Sequence, residues 1–233
     1  MTDTSHDARI NDHSARLSSQ LQRAAALSLG LGSLLIAVPQ YVDHLWAGDL
    51  ERIDRIRWGL EHHAFDRIEW AAGMVGSFLL LLGTLGLWNV TRRQCPRLTS
   101  VGVVVLTWGL SGQLFSDTAT YTAQVVTAKV LGAADAERVI AKGYLHDGGM
   151  IAVVLVPVIL GMLVGLGLLV VALWRSGFPR PAVVALALWP LWDFFGPSSF
   201  GSVSGELGLA IGSTWLALVL ARTTRERWTA HDL

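Results

Sequence analysis

Residues 148–174, GGMIAVVLVPVILGMLVGLGLLVVALW, run without a charge. About 20 apolar residues carry a helix across the hydrocarbon core of a bilayer, so this stretch alone predicts a transmembrane helix. Five more stretches qualify on either side of it. They are 24–42 (AAALSLGLGSLLIAVPQYV), 68–90 (beginning IEWAAGMVGSFLLLL) and 99–122 (TSVGVVVLTWGLSGQLFSDTATYT). The last two are 181–198, which carries WPLWDFFGP, and 203–221 (VSGELGLAIGSTWLALVLA). The expectation is an all-α polytopic membrane protein, a bundle of about six transmembrane helices.

Composition agrees. The chain is 52% hydrophobic and 15% charged, with a mean hydropathy of +0.47. A soluble domain is about one quarter charged. A formal net charge of zero gives no electrostatic argument for nucleic acid as a partner. The single cysteine, Cys95, rules out an intramolecular disulfide and a CxxC site.

Basic residues set the orientation, because cytoplasmic loops collect Lys and Arg. With both termini cytoplasmic, that side holds Arg9, Arg16, Arg23, Arg92, Arg93, Arg97, Arg175, Arg180, Arg222, Arg225 and Arg227. The other side holds Arg52, Arg55, Arg57, Arg67, Lys129, Arg138 and Lys142, interleaved with acids. The expected location is a bacterial plasma membrane, with the acidic side outward. Residues 1–23 read as a flexible polar tail, 24–221 as the six-helix domain and 222–233 as a polar C-terminal tail. Apolar positions recur at helical spacing in two outer loops, predicting short amphipathic helices at about 49–63 and 127–142.

Asp43-His44, Glu69, Asp117, His146-Asp147, Asp193 and Glu206 all fall toward the outer side of this topology. Ionisable groups at membrane depth are expensive and face a bundle interior or a wet cavity. At 1.5 Å per residue, Asp193 lies about 18 Å into its span, the deepest acid in the chain. Trp189, Trp192, Phe194 and Phe195 surround it, with Pro190 one turn before. Gln113, Asp117 and Tyr121 recur every four residues and share one helix face. Asp147 and Glu206 read equally well as ordinary helix-start acids.

These residues suggest acid/base work on a hydrophobic small molecule, a lipid or an isoprenoid. Asp193 is the expected acid, with Glu69 or Asp117 as its partner. Trp70, Trp108, Trp189, Trp192 and Trp215 offer aromatic faces that stabilise a developing cation, and Gln113, Tyr121 and His146 complete the substrate-binding set. In size and in this acid-plus-aromatic texture the chain is similar to small membrane-bound terpene cyclases. That resemblance implies a cofactor-independent isomerase or cyclase, and no family residue is carried over by it. The alternatives are a non-enzymatic binding or proton-coupled transport protein, and an accessory subunit of a membrane complex.

No cofactor is expected. His44, His62, His63 and His146 with nearby carboxylates supply enough ligands for a metal, yet no HExxH-like spacing is present. Walker, Rossmann and GxSxG fingerprints are also absent. Expected partners are membrane lipids and the small molecule. Gly161/Gly165, Gly201/Gly205 and Gly208/Gly212 have GxxxG spacing, which serves close packing within the chain or a homo-oligomer contact.

Overall fold

The structure, a computed structural model, describes residues 4–47, 50, 52–139, 155–195 and 201–223. Among them there is no strand. The helices are α1 (Thr4–Ala47), α2 (Arg52–Glu61), α3 (His63–Thr91), α4 (Pro96–Tyr121), α5 (Thr127–Leu131) and α6 (Ala133–Val139). Then come α7 (Val156–Arg175), α8 (Arg180–Phe195) and α9 (Gly201–Arg222). A π-helical turn, Thr122–Val126, joins α4 to α5, and another, Leu160–Gly165, lies inside α7.

Four helices are long and apolar enough to cross a membrane: α3, α7, the Leu17–Trp46 part of α1 and the Pro96–Ser116 part of α4. The expected count of about six is therefore only partly met. α8 has 16 residues, and α9 carries Glu206 and several Gly, Ser and Thr among its apolar positions. α1 also differs from expectation, because it begins at Thr4 where a polar tail was expected through residue 23. No Gly or Pro precedes Gly30, and a nucleated helix extends by one hydrogen bond per residue. Gln22 anchors this segment, donating from Nε2 to the carbonyls of Leu220 and Thr223 at 2.8 Å each. Those carbonyls lie at the end of α9, where the Leu220 carbonyl also accepts the backbone N–H of Thr223 at 3.2 Å.

Six helices form a closed ring. α1 packs on α3 and α9, α3 on α4, α4 on α7, α7 on α8, and α8 on α9. One apolar core runs through it, from Ala26 and Leu29 through Leu106 and Leu169 to Leu216 and Leu220. Glycines set the spacing. A Cβ on Gly32 would stand 2.5 Å from the backbone nitrogen of Leu80, and one on Gly83 2.5 Å from the Cα of Leu29. On Gly212 it would stand 2.5 Å from the nitrogen of Leu186. Gly161 and Gly165 sit against Gly109 and Leu106 of α4, and Gly208 sits against α8. Backbones this close gain dispersion that a larger side chain would prevent.

The outward faces are apolar at helical spacing on all six ring helices. Leu27, Leu31, Leu34 and Val38 are exposed on α1, and Val75, Phe78, Leu82 and Leu85 on α3. Val184, Leu188 and Leu191 do the same on α8, and Leu207, Ile211 and Leu218 on α9. Such a girdle fits hydrocarbon rather than water.

At one end the short helices build a second, small core. Ile56 of α2 buries against Ala128 of α5 and Ala136 of α6, with Leu60 and Ala133 beside them. The helix expected over 127–142 is broken at Gly132, whose φ of +87° is a conformation that side chains disfavour. Residues 140–142 lie outside the described residues.

Candidate functional site: one end of the bundle

Ring neighbours run antiparallel, so the C-terminal ends of α1, α4 and α8 and the N-terminal ends of α3 and α9 lie together. Asp43, Glu69, Asp117, Asp193 and Glu206 are thus all carried to one end of the bundle by their backbones. The Arg-rich turns Arg92–Arg97 and Arg175–Arg180 occupy the other end.

Two of the expected aromatic residues meet. Trp70 of α3 and Tyr121 of α4 stack with ring centroids 5.2 Å apart and planes 21° from parallel. One turn deeper, Thr118 Oγ1 lies 3.8 Å from the sulfur of Met74. Trp70 Nε1 is buried without a hydrogen-bond partner among the described residues. Gln113, on the same face of α4, is half-buried and engaged in an interaction of its own. Asp117 is carried by α4 between Gln113 and Tyr121.

A second convergence involves the carboxylates. Gly76 of α3 lies against Ile36 of α1, and Trp46 meets Phe65 at 5.3 Å. Between these contacts two turns lead from Ile36 to Asp43 and two turns from Gly76 to Glu69, which puts the carboxylates at one level. On the other side of α1, Gly30 lies against Ala217 of α9. About three turns onward stand Tyr41 and Glu206, so Glu206 shares that level. Asp43 is 6% exposed and Glu206 7%, whereas Glu69 is half-buried. Asp43, His44, Glu69 and Glu206 are each engaged in an interaction with a neighbour, and Glu206 Oε2 is buried without a hydrogen-bond partner among the described residues.

The remaining expected residues are dispersed. Trp189 is buried in the core beside α9, and Trp192, one turn further along α8, is half-buried. The helix pairing continues from Gly208 against Trp189, so Asp193 on α8 falls opposite the first turn of α9. Trp108 and Trp215 are 49% and 42% exposed, in the outward stripes of α4 and α9. They face away from the ring and do not join the cluster. His146 and Asp147 lie outside the described residues.

Among the described residues no group of three or more His, Cys, Asp and Glu is placed to hold a metal ion. His62 is occupied locally, its Nδ1 3.0 Å from the Trp58 carbonyl and its ring stacked on Trp58 at 4.6 Å. His63 is exposed. No known protein family, curated protein or solved structure matches this chain.

Proposed function

We propose that this chain is an integral membrane enzyme with six transmembrane helices, both termini cytoplasmic and the acidic end on the outer face. It takes up a hydrophobic small molecule of lipid or isoprenoid type and converts it by acid/base chemistry, as an isomerase or cyclase would. The observation that carries this reading is the stacked Trp70–Tyr121 pair, adjoining Glu69, on whose level Asp43 lies. Asp193 donates a proton to a double bond, and the aromatic faces stabilise the resulting carbocation. Glu69 or Asp117 accepts a proton from a neighbouring carbon, so the reaction is redox-neutral and needs no co-reactant. Trp189 and Trp192 shape the α8 side of the site, whereas Trp108 and Trp215 contact lipid. The girdle on α8 and α9 supports counting both as crossings.

The test is extraction of the purified protein and mass spectrometry of what it retains, followed by turnover of that molecule. Asp193→Asn and Glu69→Gln are each expected to lower the rate by roughly 100-fold or more, with the molecule still retained. Unchanged turnover in both variants, or no retained molecule apart from bulk phospholipid, would defeat the reading.

A second reading, proton-coupled transport, draws on the hydroxyls of Ser33, Ser77 and Ser213. They lie buried on α1, α3 and α9 about two to three turns below the carboxylates. Proteoliposomes under a pH gradient separate the two: ligand uptake lost in Asp43→Asn, without chemical conversion, favours transport.

A further inference from the structure

The arginine end carries a feature that this chemistry does not use. The guanidinium of Arg92 lies 4.6 Å over the Trp88 ring, and that of Arg180 lies 5.3 Å over Trp174. Trp88 flanks the start of α4, its Nε1 donating to Ser100 Oγ at 3.2 Å, and Gly102 lies against Leu168 and Leu169 of α7, the helix that ends with Trp174 and Arg175. The α4–α7 pairing, continued one turn toward this end, brings Arg97 to the level of Trp174 and Arg175. Arg93, Arg97 and Arg175 are exposed, and residues 92–97 and 175–180 contain no acid. The opposite end differs, since Arg57 pairs with Asp54 at 3.1 Å and Arg138 with Asp135 at 3.3 Å.

Directly below the arginines the wall is apolar. Val101 and Val104 of α4 are 52% and 68% exposed, and Val171 of α7 is 43% exposed. A free phosphate would gain nothing from that wall, whereas acyl chains would cover it. From this pairing of cations above and apolar surface below, we infer that the rim around the start of α4 binds an anionic phospholipid. Arg93, Arg97 and Arg175 hold the phosphate, Arg92 and Arg180 are steadied by their tryptophans, and the chains lie along Val101 and Val104. Basic pockets between membrane helices recognise anionic headgroups in this way. The site is separate from the acidic end and stands or falls independently of the chemistry there.

The test uses the full-length protein in zwitterionic detergent, titrated by native mass spectrometry with dioleoyl phosphatidylglycerol, dioleoyl phosphatidylcholine and inorganic phosphate. Phosphatidylglycerol is expected to bind at least tenfold more tightly than phosphatidylcholine. Arg93→Gln should weaken it about fivefold, and Arg97→Gln with Arg175→Gln about 25-fold. The corresponding double lysine variant should retain most of the affinity, and Lys129→Gln, at the far end, should change nothing. Equal binding of the two lipids, or full affinity in the double glutamine variant, would overturn the inference. So would displacement of phosphatidylglycerol by equimolar inorganic phosphate.

Discussion

Asp43 and Glu206 show how a single residue acquires meaning from its place in a buried row. Gln22, Ala26, Leu29, Ser33, Ile36 and Asp43 are all buried on α1, at intervals of three, four or seven. Glu206, Leu209, Ser213, Leu216 and Leu220 make the same kind of row on α9. The rows emerge from burial in the structure, whereas the sequence by itself reads Glu206 equally well as an ordinary helix-start acid. Glu206 reads as a helix-start acid only if its position in the row is ignored. The stacking of Trp70 on Tyr121 was not legible, because spacing along α3 and α4 does not fix which faces meet. That contact yields a measurable coupling. In a double-mutant cycle with Trp70→Ala and Tyr121→Ala, thermal unfolding in detergent should return a coupling of about 0.5–1.5 kcal/mol. A value near zero would mean that the rings merely neighbour one another. Gln22→Leu should cost about 1–3 kcal/mol by the same measurement, since it removes the side-chain donor that ties α1 to the carbonyls of Leu220 and Thr223.

At the scale of the element, the apolar run within residues 148–174 leads directly to α7, and the expected spans 24–42, 68–90 and 99–122 to α1, α3 and α4. Three things were obscured. The extension of α1 back to Thr4 is polar, and polarity without packing reads as a tail. The break between α5 and α6 turns on the conformation of Gly132, which its neighbours do not announce. GxxxG spacing marks close approach but does not name the partner, and here Gly161 and Gly165 lie against α4 of the same chain. Two glycines of α7 make the contrast testable. A Cβ at Gly161 would collide with the backbone of Gly109, whereas nothing stands within 4 Å of one at Gly167. Gly161→Ala is therefore expected to destabilise by about 1–3 kcal/mol. Gly167→Ala should stabilise by about 0.5–1 kcal/mol, because glycine within a helix carries an entropic cost. Thermal melts of the two variants beside the parent check both signs, and a destabilised Gly167→Ala would contradict the packing described for α7.

For the whole molecule, what matters is whether α8 and α9 cross the membrane or dip into it and return. Four helices meet the requirements of length and hydropathy outright. α8 spans about 24 Å at 1.5 Å per residue, close to the lower limit for a crossing. The ring argues for full crossings: α8 and α9 are packed along their lengths, by glycine contacts at Gly208 and Gly212, and their outer stripes continue the girdle of the other four. A helix pair that turned back at half depth would leave Phe195, 72% exposed, inside hydrocarbon. A pair that crosses brings it to the same surface as α2. Cysteine labelling distinguishes these outcomes. In a Cys95→Ala background, Arg57→Cys marks the acidic end and Gln94→Cys the arginine end. An impermeant maleimide applied to intact cells should label Arg57→Cys and Phe195→Cys and leave Gln94→Cys unmodified until the cells are opened. Labelling of Gln94→Cys alone would invert the orientation but keep six crossings. If Phe195→Cys followed Gln94→Cys, or stayed unreactive on both sides, α8 would not cross. Asp193 would then no longer share a membrane surface with Glu69, and the acid/base chemistry proposed between α8 and α3 would lose its geometry.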